Sequence, residues 1–174
     1  MKKVAVLVED QYQVLEVWYP YLRLREEGIE TLLVGTGRKK EYNSKEGYPA
    51  VEEVSIRKAK ADDFSGVVIP GGYAPDILRR YKEVNKFVRE MYEKNKIVAA
   101  ICHGGWVLVS AGIVKGKKVT GFFAIKDDLV NAGGKFIDKE VVVDGNLVTS
   151  RKPYDLPAFC REILRKIKKL KESK

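Results

Sequence analysis

Histidine is almost missing from this chain. Among 174 residues there is one, His103, so any imidazole chemistry has a single address. Two cysteines, Cys102 and Cys160, are too few for a disulfide framework or a Cys-rich metal centre. No run of 18 apolar residues exists, which excludes a membrane-spanning helix and leaves no membrane partner to expect. The apolar stretch Val4–Val8 ends at Glu9-Asp10 and is too short for a secretory signal. Repeats, low-complexity tracts and linkers are also lacking, so residues 1–174 read as one domain with a sizeable core. Two free thiols in unlike surroundings suit a reducing cytoplasm.

Charge is plentiful: 33 Lys and Arg stand against 24 Asp and Glu, for a net +9. More than half of that excess sits between Arg161 and Lys174, where seven basic residues face two glutamates. This reads as the solvated face and frayed end of a terminal helix. No aromatic residue interleaves with it, so nonspecific attraction to polyanions is its limit and a nucleic-acid partner is not expected.

Apolar runs alternate with helical patterns. Val4–Val8, Glu30–Val34, Gly66–Ile69 and Ile97–Ile101 read as buried strands; Lys118–Gly121 reads as a short one and Val51–Ile56 as an edge strand. Helices are expected from Val14 to Glu27, from Tyr81 to Lys94, from the segment after Cys102 to Ala111, and from Ile125 to Ala132. Gly28, Gly112 and Gly133-Gly134 close three of them. Glu140–Ser150 is a hairpin on an Asp144-Gly145 turn. A last helix starts near Asp155 as N-cap and carries Cys160 in the apolar stripe Leu156, Phe159, Cys160, Ile163, Ile167 and Leu170, which marks that cysteine as core. The pattern predicts an α/β fold, a parallel central sheet with helices on both faces, whose ligand site lies at the carboxyl ends of the strands.

Two glycine-rich turns fall at such ends. Ala100-Ile101-Cys102-His103-Gly104 has the small-x-nucleophile-x-Gly layout of a nucleophile elbow, with a thiol at the apex and the lone histidine beside it. A following helix N-terminus would favour the thiolate. Pro70-Gly71-Gly72 follows another buried strand; it is either a plain tight turn or, with the backbone of His103, the oxyanion-binding donor set Gly71, Gly72 and His103. Glu16 stands among apolar residues in the first helix. It is either a solvated residue or a carboxylic acid that hydrogen-bonds the sulfur. Asp76 is either a helix-start residue beside Pro75 or the acid that orients His103.

These motifs resemble the ThiJ/PfpI superfamily, and most nearly its PfpI-type intracellular cysteine peptidases. The resemblance rests on Glu16 four residues before Pro20, on Pro70–Asp76, Ala100–Gly104, Ser110-Ala111-Gly112, Ile125–Gly133 and Val141–Arg151, and so spans nearly the whole chain. It implies a flavodoxin-like sandwich, Cys102 as nucleophile, Glu16 against its sulfur, and His103 as base. It further implies that an acid from a neighbouring subunit orients His103 in a homo-oligomer, a hexamer or else a dimer. Asp76 fills that acid's position where relatives often carry Glu, and Gly105-Trp106 departs from the usual Gly-Pro after the histidine. No cofactor and no metal are implied. The expected function is a cysteine hydrolase acting on peptides. The alternatives are a glyoxalase or protein deglycase acting on methylglyoxal or its adducts, and a redox-sensing stress protein or chaperone without turnover. Cysteine glutaminases are excluded, because they take a histidine from far downstream and none follows His103.

Overall fold

The longest apolar runs become the centre of one sheet. In the computed structural model, which describes residues 3–172, β1 (Lys3–Val8), β2 (Thr31–Gly35), β6 (Phe64–Ile69), β7 (Ile97–Ile101) and β11 (Leu147–Ser150) are parallel neighbours. Short edge strands flank them: β5 (Val54–Ser55) runs parallel beside β2, and β10 (Val141–Asp144) is antiparallel to β11. The sheet order is β10-β11-β7-β6-β1-β2-β5. All five residues of β7 are buried, as expected of a strand covered on both faces.

Helix α1 (Val14–Glu26) connects β1 to β2 and packs against α6 (Leu156–Glu172). Helices α2 (Ala74–Leu78) and α3 (Lys82–Glu93) connect β6 to β7, and α3 packs on α4 (Gly105–Ala111). Helix α4 in turn meets α5 (Lys126–Asn131). Because β1 leads to one side of the sheet and β6 to the other, right-handed crossovers put the two helix groups on opposite faces. The chain reverses direction between β1 and β6, and a crevice opens there at the carboxyl ends of the strands. No described helix is long and apolar enough to cross a membrane.

Three details differ from the sequence expectation. Within residues 38–64, where one edge strand is expected over Val51–Ile56, β3 (Glu41–Asn43) and β4 (Pro49–Val51) form a separate hairpin and only Val54–Ser55 joins the sheet edge. Strand β8 (Lys118–Val119) leaves the main sheet and pairs with β9 (Lys135–Phe136). Asp155 lies in a turn just before α6, and its carboxylate accepts from the Arg151 guanidinium at 2.9 Å. Cys160 is buried on α6 as expected. The expected frayed end of the basic segment falls on Ser173 and Lys174, which lie outside the described residues.

Two glycines at similar positive φ separate strain from collision. Gly28 (φ +70°) ends α1 with open space around it, whereas a Cβ on Gly72 (φ +73°) would lie 2.4 Å from the Gln11 carbonyl oxygen. Gly28→Ala should cost about 1 kcal/mol of backbone strain, or roughly 2–4 °C in Tm. Gly72→Ala adds a backbone displacement and should lower Tm by at least about twice as much. Equal Tm losses in calorimetry would contradict the packing around Gly72.

Candidate active site

Cys102 adopts φ +59°, a conformation rare for a side-chain-bearing residue, at the end of β7. The chain turns through Cys102–Gly104 into α4, so the thiol projects from the sheet edge. Bare neighbours make the turn feasible. A Cβ on Gly104 would meet the Ile69 carbonyl oxygen at 2.6 Å, and one on Gly71 would meet Sγ of Cys102 at 2.9 Å. This is the elbow expected from the sequence.

Three groups converge on the sulfur. The first is His103, whose Nδ1 lies 3.3 Å from Sγ. The second is Glu16, in the first turn of α1 and fully buried, which decides against the solvated reading. Its Oε2 accepts the Gly71 N–H at 2.7 Å, while Oε1 is sealed from solvent with no conventional partner and the thiol is the group beside the carboxyl. The third is the backbone: the N–H groups of His103 and Gly72 both face the thiol. Gly71 is thereby separated from Gly72. Its N–H is committed to Glu16, so the oxyanion donors expected at Gly71, Gly72 and His103 reduce to the last two.

Burial governs the electrostatics. It pushes the Glu16 carboxyl up to about 7, against the pull of the Gly71 N–H, the thiol and Lys45. Burial, and then the Glu16 charge, push the Cys102 thiol up to about 12, opposed by the His103 and Gly72 amides. The expectation that the elbow lowers this thiol's pKa is therefore not met: desolvation and a neighbouring carboxylate outweigh the turn's dipoles. Cys160 is also raised to about 12 by burial, so ionisation alone does not distinguish the two cysteines. Their partners do. Glu16 and Cys102 form one titrating pair, because two anions cannot share this dry site. When the proton rests on Glu16, the neutral acid becomes a donor to the thiolate and the repulsion that raised the thiol disappears.

His103 is clasped by aromatic rings. Phe122 stacks on it at 5.0 Å, Trp106 meets it nearly perpendicular at 5.0 Å, and Tyr73 tilts toward it at 6.5 Å. Burial lowers its pKa; Lys45 lowers it further, and Asp128 raises it. Asp76 sits half-exposed on α2 in an ion pair with Arg80. Within the described residues it is not brought to His103, and Asp128 is the carboxylate that acts on the imidazole. Sequence reasoning missed Lys45 and Phe122, which stand in no motif, and gave no role to Asp128, which lies within the Ile125–Gly133 stretch; each reaches the site through folding. Beside Phe122 opens a cavity of about 540 Å³, bounded also by Phe123, Lys126, Phe136 and Lys152. No group of three or more His, Cys, Asp or Glu side chains could hold a metal among the described residues.

Comparison with known proteins gives this geometry a lineage. A deglycase of Thermococcus kodakarensis is 42% identical over 163 residues, 94% of this chain and 98% of the relative. Deglycase PfpI of Pyrococcus furiosus is 40% identical over 166 residues, 95% of this chain and 99% of its own. YraA of Bacillus subtilis, described as a candidate cysteine protease, is 41% identical over 167 residues, 96% of this chain and 99% of the relative. Among solved structures, a two-domain Anabaena variabilis protein with DJ-1/ThiJ/PfpI-like and ferritin-like domains superposes with TM-score 0.94 at 41% identity, covering 96% of this chain and 48% of that one. Schizosaccharomyces pombe DJ-1 follows at TM-score 0.87 and 26% identity, covering 95% of this chain and 91% of that one. The DJ-1/PfpI family model matches residues 2–166. With the elbow thiol, the buried glutamate and these relatives together, the chain belongs to the DJ-1/PfpI family.

Proposed function

We propose that this protein is a cysteine-dependent deglycase: it removes small dicarbonyl adducts from amines and thiols through Cys102. The observation that carries the reading is the buried pair of Glu16, pushed up to about 7, and Cys102, with His103 Nδ1 3.3 Å from the sulfur. Such a pair passes a proton near neutral pH, and dicarbonyl chemistry needs that passage. The thiolate attacks the aldehyde-level carbon of the adduct and a C–S bond forms as the amine or thiol leaves with a proton. A proton then moves from that carbon to its neighbour, carried by Glu16 or His103, and the hemithioacetal becomes a thioester. Water cleaves the thioester, returning the Cys102 thiol and releasing a hydroxy acid. The N–H groups of Gly72 and His103 are suited to the oxyanion at each addition. The deglycase names of relatives that match nearly the whole chain support the same reading.

This reverses the order in which the sequence ranked the activities. Dicarbonyl chemistry asks only for the groups gathered at the sulfur, the Glu16–Cys102 pair and His103. Peptide hydrolysis stays as the second reading because the Gly72 and His103 amides suit a tetrahedral intermediate and YraA carries a protease description. Parallel assays on a methylglyoxal–thiol adduct and on a fluorogenic peptide separate the two. The adduct should be consumed and Cys102→Ala should lose at least about a thousandfold in kcat/KM. Turnover of the peptide alone would reject the deglycase reading.

The shared proton sets a pH signature. In the wild type, alkylation of Cys102 by iodoacetamide should rise in two steps, the first near pH 7, where the pair loses its first proton and part of the population becomes thiolate beside a protonated Glu16. In Glu16→Leu the donor is gone and burial alone acts, so the lower step should vanish and the rate at pH 8 should fall at least about tenfold. An identical profile in the variant would remove Glu16 from the chemistry.

Assembly enters through Asp76. The reading includes a homo-oligomer in which Asp76 of one copy faces His103 of another, since its carboxylate is half-exposed and engaged by Arg80. Mixing exchanged Cys102→Ala and Asp76→Ala subunits should restore part of the activity. A monomer by light scattering at micromolar concentration would reject the shared acid.

A further inference from the structure

The imidazole of His103 already has an acid in its own chain. Trp106, in the first turn of α4, donates its Nε1–H to Oδ2 of Asp128 at 2.9 Å. Asp128 stands in the first turn of α5, an element that the fold brings against α4. The indole ring is further fixed by Arg79, whose guanidinium lies 5.7 Å over it and whose Nε donates to Ser110 Oγ at 2.9 Å. A large side chain is thus tied at its polar end and covered on its face. Its other contact is the perpendicular meeting with the His103 ring at 5.0 Å. Phe122 stacks on the same imidazole at 5.0 Å. Between them the imidazole is confined in the plane that keeps Nδ1 toward Sγ.

We propose that Asp128, acting through Trp106, is the in-chain positioning acid for His103: it fixes the ring that orients the imidazole. This rests on reading His103 as the base of Cys102. The reasoning is electrostatic and geometric together. His103 is flanked by the Cys102 thiol and, beyond it, Glu16 from α1. Lys45, from the loop after β3, opposes a positive charge on the ring; Arg79 lies across the indole, and the Tyr73 hydroxyl side chain approaches from the α2 end. In that company Asp128 is the group that favours the protonated ring, and its hydrogen bond to Trp106 holds it there. The shared acid at Asp76 then supplements a site that each chain already balances.

The lone histidine makes the test direct, because its ring proton resonance reports His103 and nothing else. NMR titration of the full-length protein is to be run on the wild type and on Asp128→Asn, Asp128→Glu and Trp106→Phe. Asparagine keeps an acceptor for the indole N–H but removes the charge; phenylalanine keeps a ring but removes the donor. The His103 midpoint should fall by roughly half a unit or more in Asp128→Asn, and stay near the wild-type value in Asp128→Glu. In Trp106→Phe it should fall also, because the released carboxylate turns to solvent. Alkylation of Cys102 at pH 7 should slow by about threefold for each half-unit lost, since fewer imidazolium rings face the sulfur. A midpoint unmoved in Asp128→Asn, with circular dichroism unchanged, overturns the proposal. So does a midpoint that drops as far in Asp128→Glu as in Asp128→Asn. Titration needs no substrate: failure of turnover on every adduct would count against the deglycase reading and leave this measurement decisive for Asp128.

Discussion

One proton in a dry crevice, held between Glu16 and Cys102, is what the site is built around. Neither group would ionise readily alone in that position, and both cannot do so together. The shift of the Glu16 carboxyl from its usual 4.5 to about 7 means that ionising it in the folded chain costs about 3 kcal/mol more than in the unfolded one. The sign follows from the raised value. That share of stability is present below about pH 4.5 and is lost as the pH climbs through about 7. A cost of that size at working pH is a sizeable fraction of a domain's stability. It is borne by a sheet whose central strands are buried on both faces.

The crevice exists because the fold reverses there. β1 delivers Glu16 by way of α1, β6 delivers Gly71 and Gly72, and β7 delivers Cys102 and His103. Three strands that are neighbours in space send their carboxyl ends to one point, and no segment has to stretch to meet another. The backbone then interlocks. The Gly71 carbonyl accepts from the Gln13 N–H at 3.2 Å, and Tyr73 N–H donates to the Gln11 carbonyl at 2.8 Å. The loop before α1 and the Gly-Gly turn therefore move as one piece, which ties the position of Glu16 to that of the Gly71 and Gly72 amides.

Much of this was legible in the sequence, and the boundary of legibility has a physical cause. Strands β1, β6 and β7 stand out because burial on both faces demands unbroken apolar runs, and the hairpin at Val141–Ser150 because a tight turn favours glycine; its loop is Gly145-Asn146, one residue later than expected, since Asp144 still pairs with Leu147. The elbow is visible because a strained turn tolerates only small neighbours, so its chemistry is written in consecutive residues. Residues 38–64 were opaque: strands of two or three residues leave too short a pattern to read. Glu16 could be suspected, but its burial depends on what α1 packs against, and only the fold decides that. Gly71 was misjudged for a related reason. Two adjacent glycines look equivalent as donors, yet one N–H is claimed by a carboxylate 55 residues away. Asp128 was invisible because its partner, Trp106, is 22 residues distant on another helix.

The departures from the usual family pattern then fall into one arrangement. Glycine at position 105 has a Cβ direction already crowded, with Ile125 at 3.0 Å and Leu129 at 3.2 Å, so α4 and α5 lie close. That closeness is what lets the Trp106 indole reach Asp128. The residue after the His103-Gly104 turn is thus small so that the next one can be large, and the large one spans the gap between two helices to rest on the imidazole. Asp76 is engaged by Arg80, while a tryptophan tethered to Asp128 rests on the imidazole; on the proposed reading, a contact made within the chain governs the histidine. What stays constant is the requirement set by the buried proton. On the proposed reading His103 must hold one orientation while Glu16 and Cys102 exchange the charge, and the Trp106 and Phe122 rings packed against the imidazole meet that requirement without adding another titrating group to the crevice.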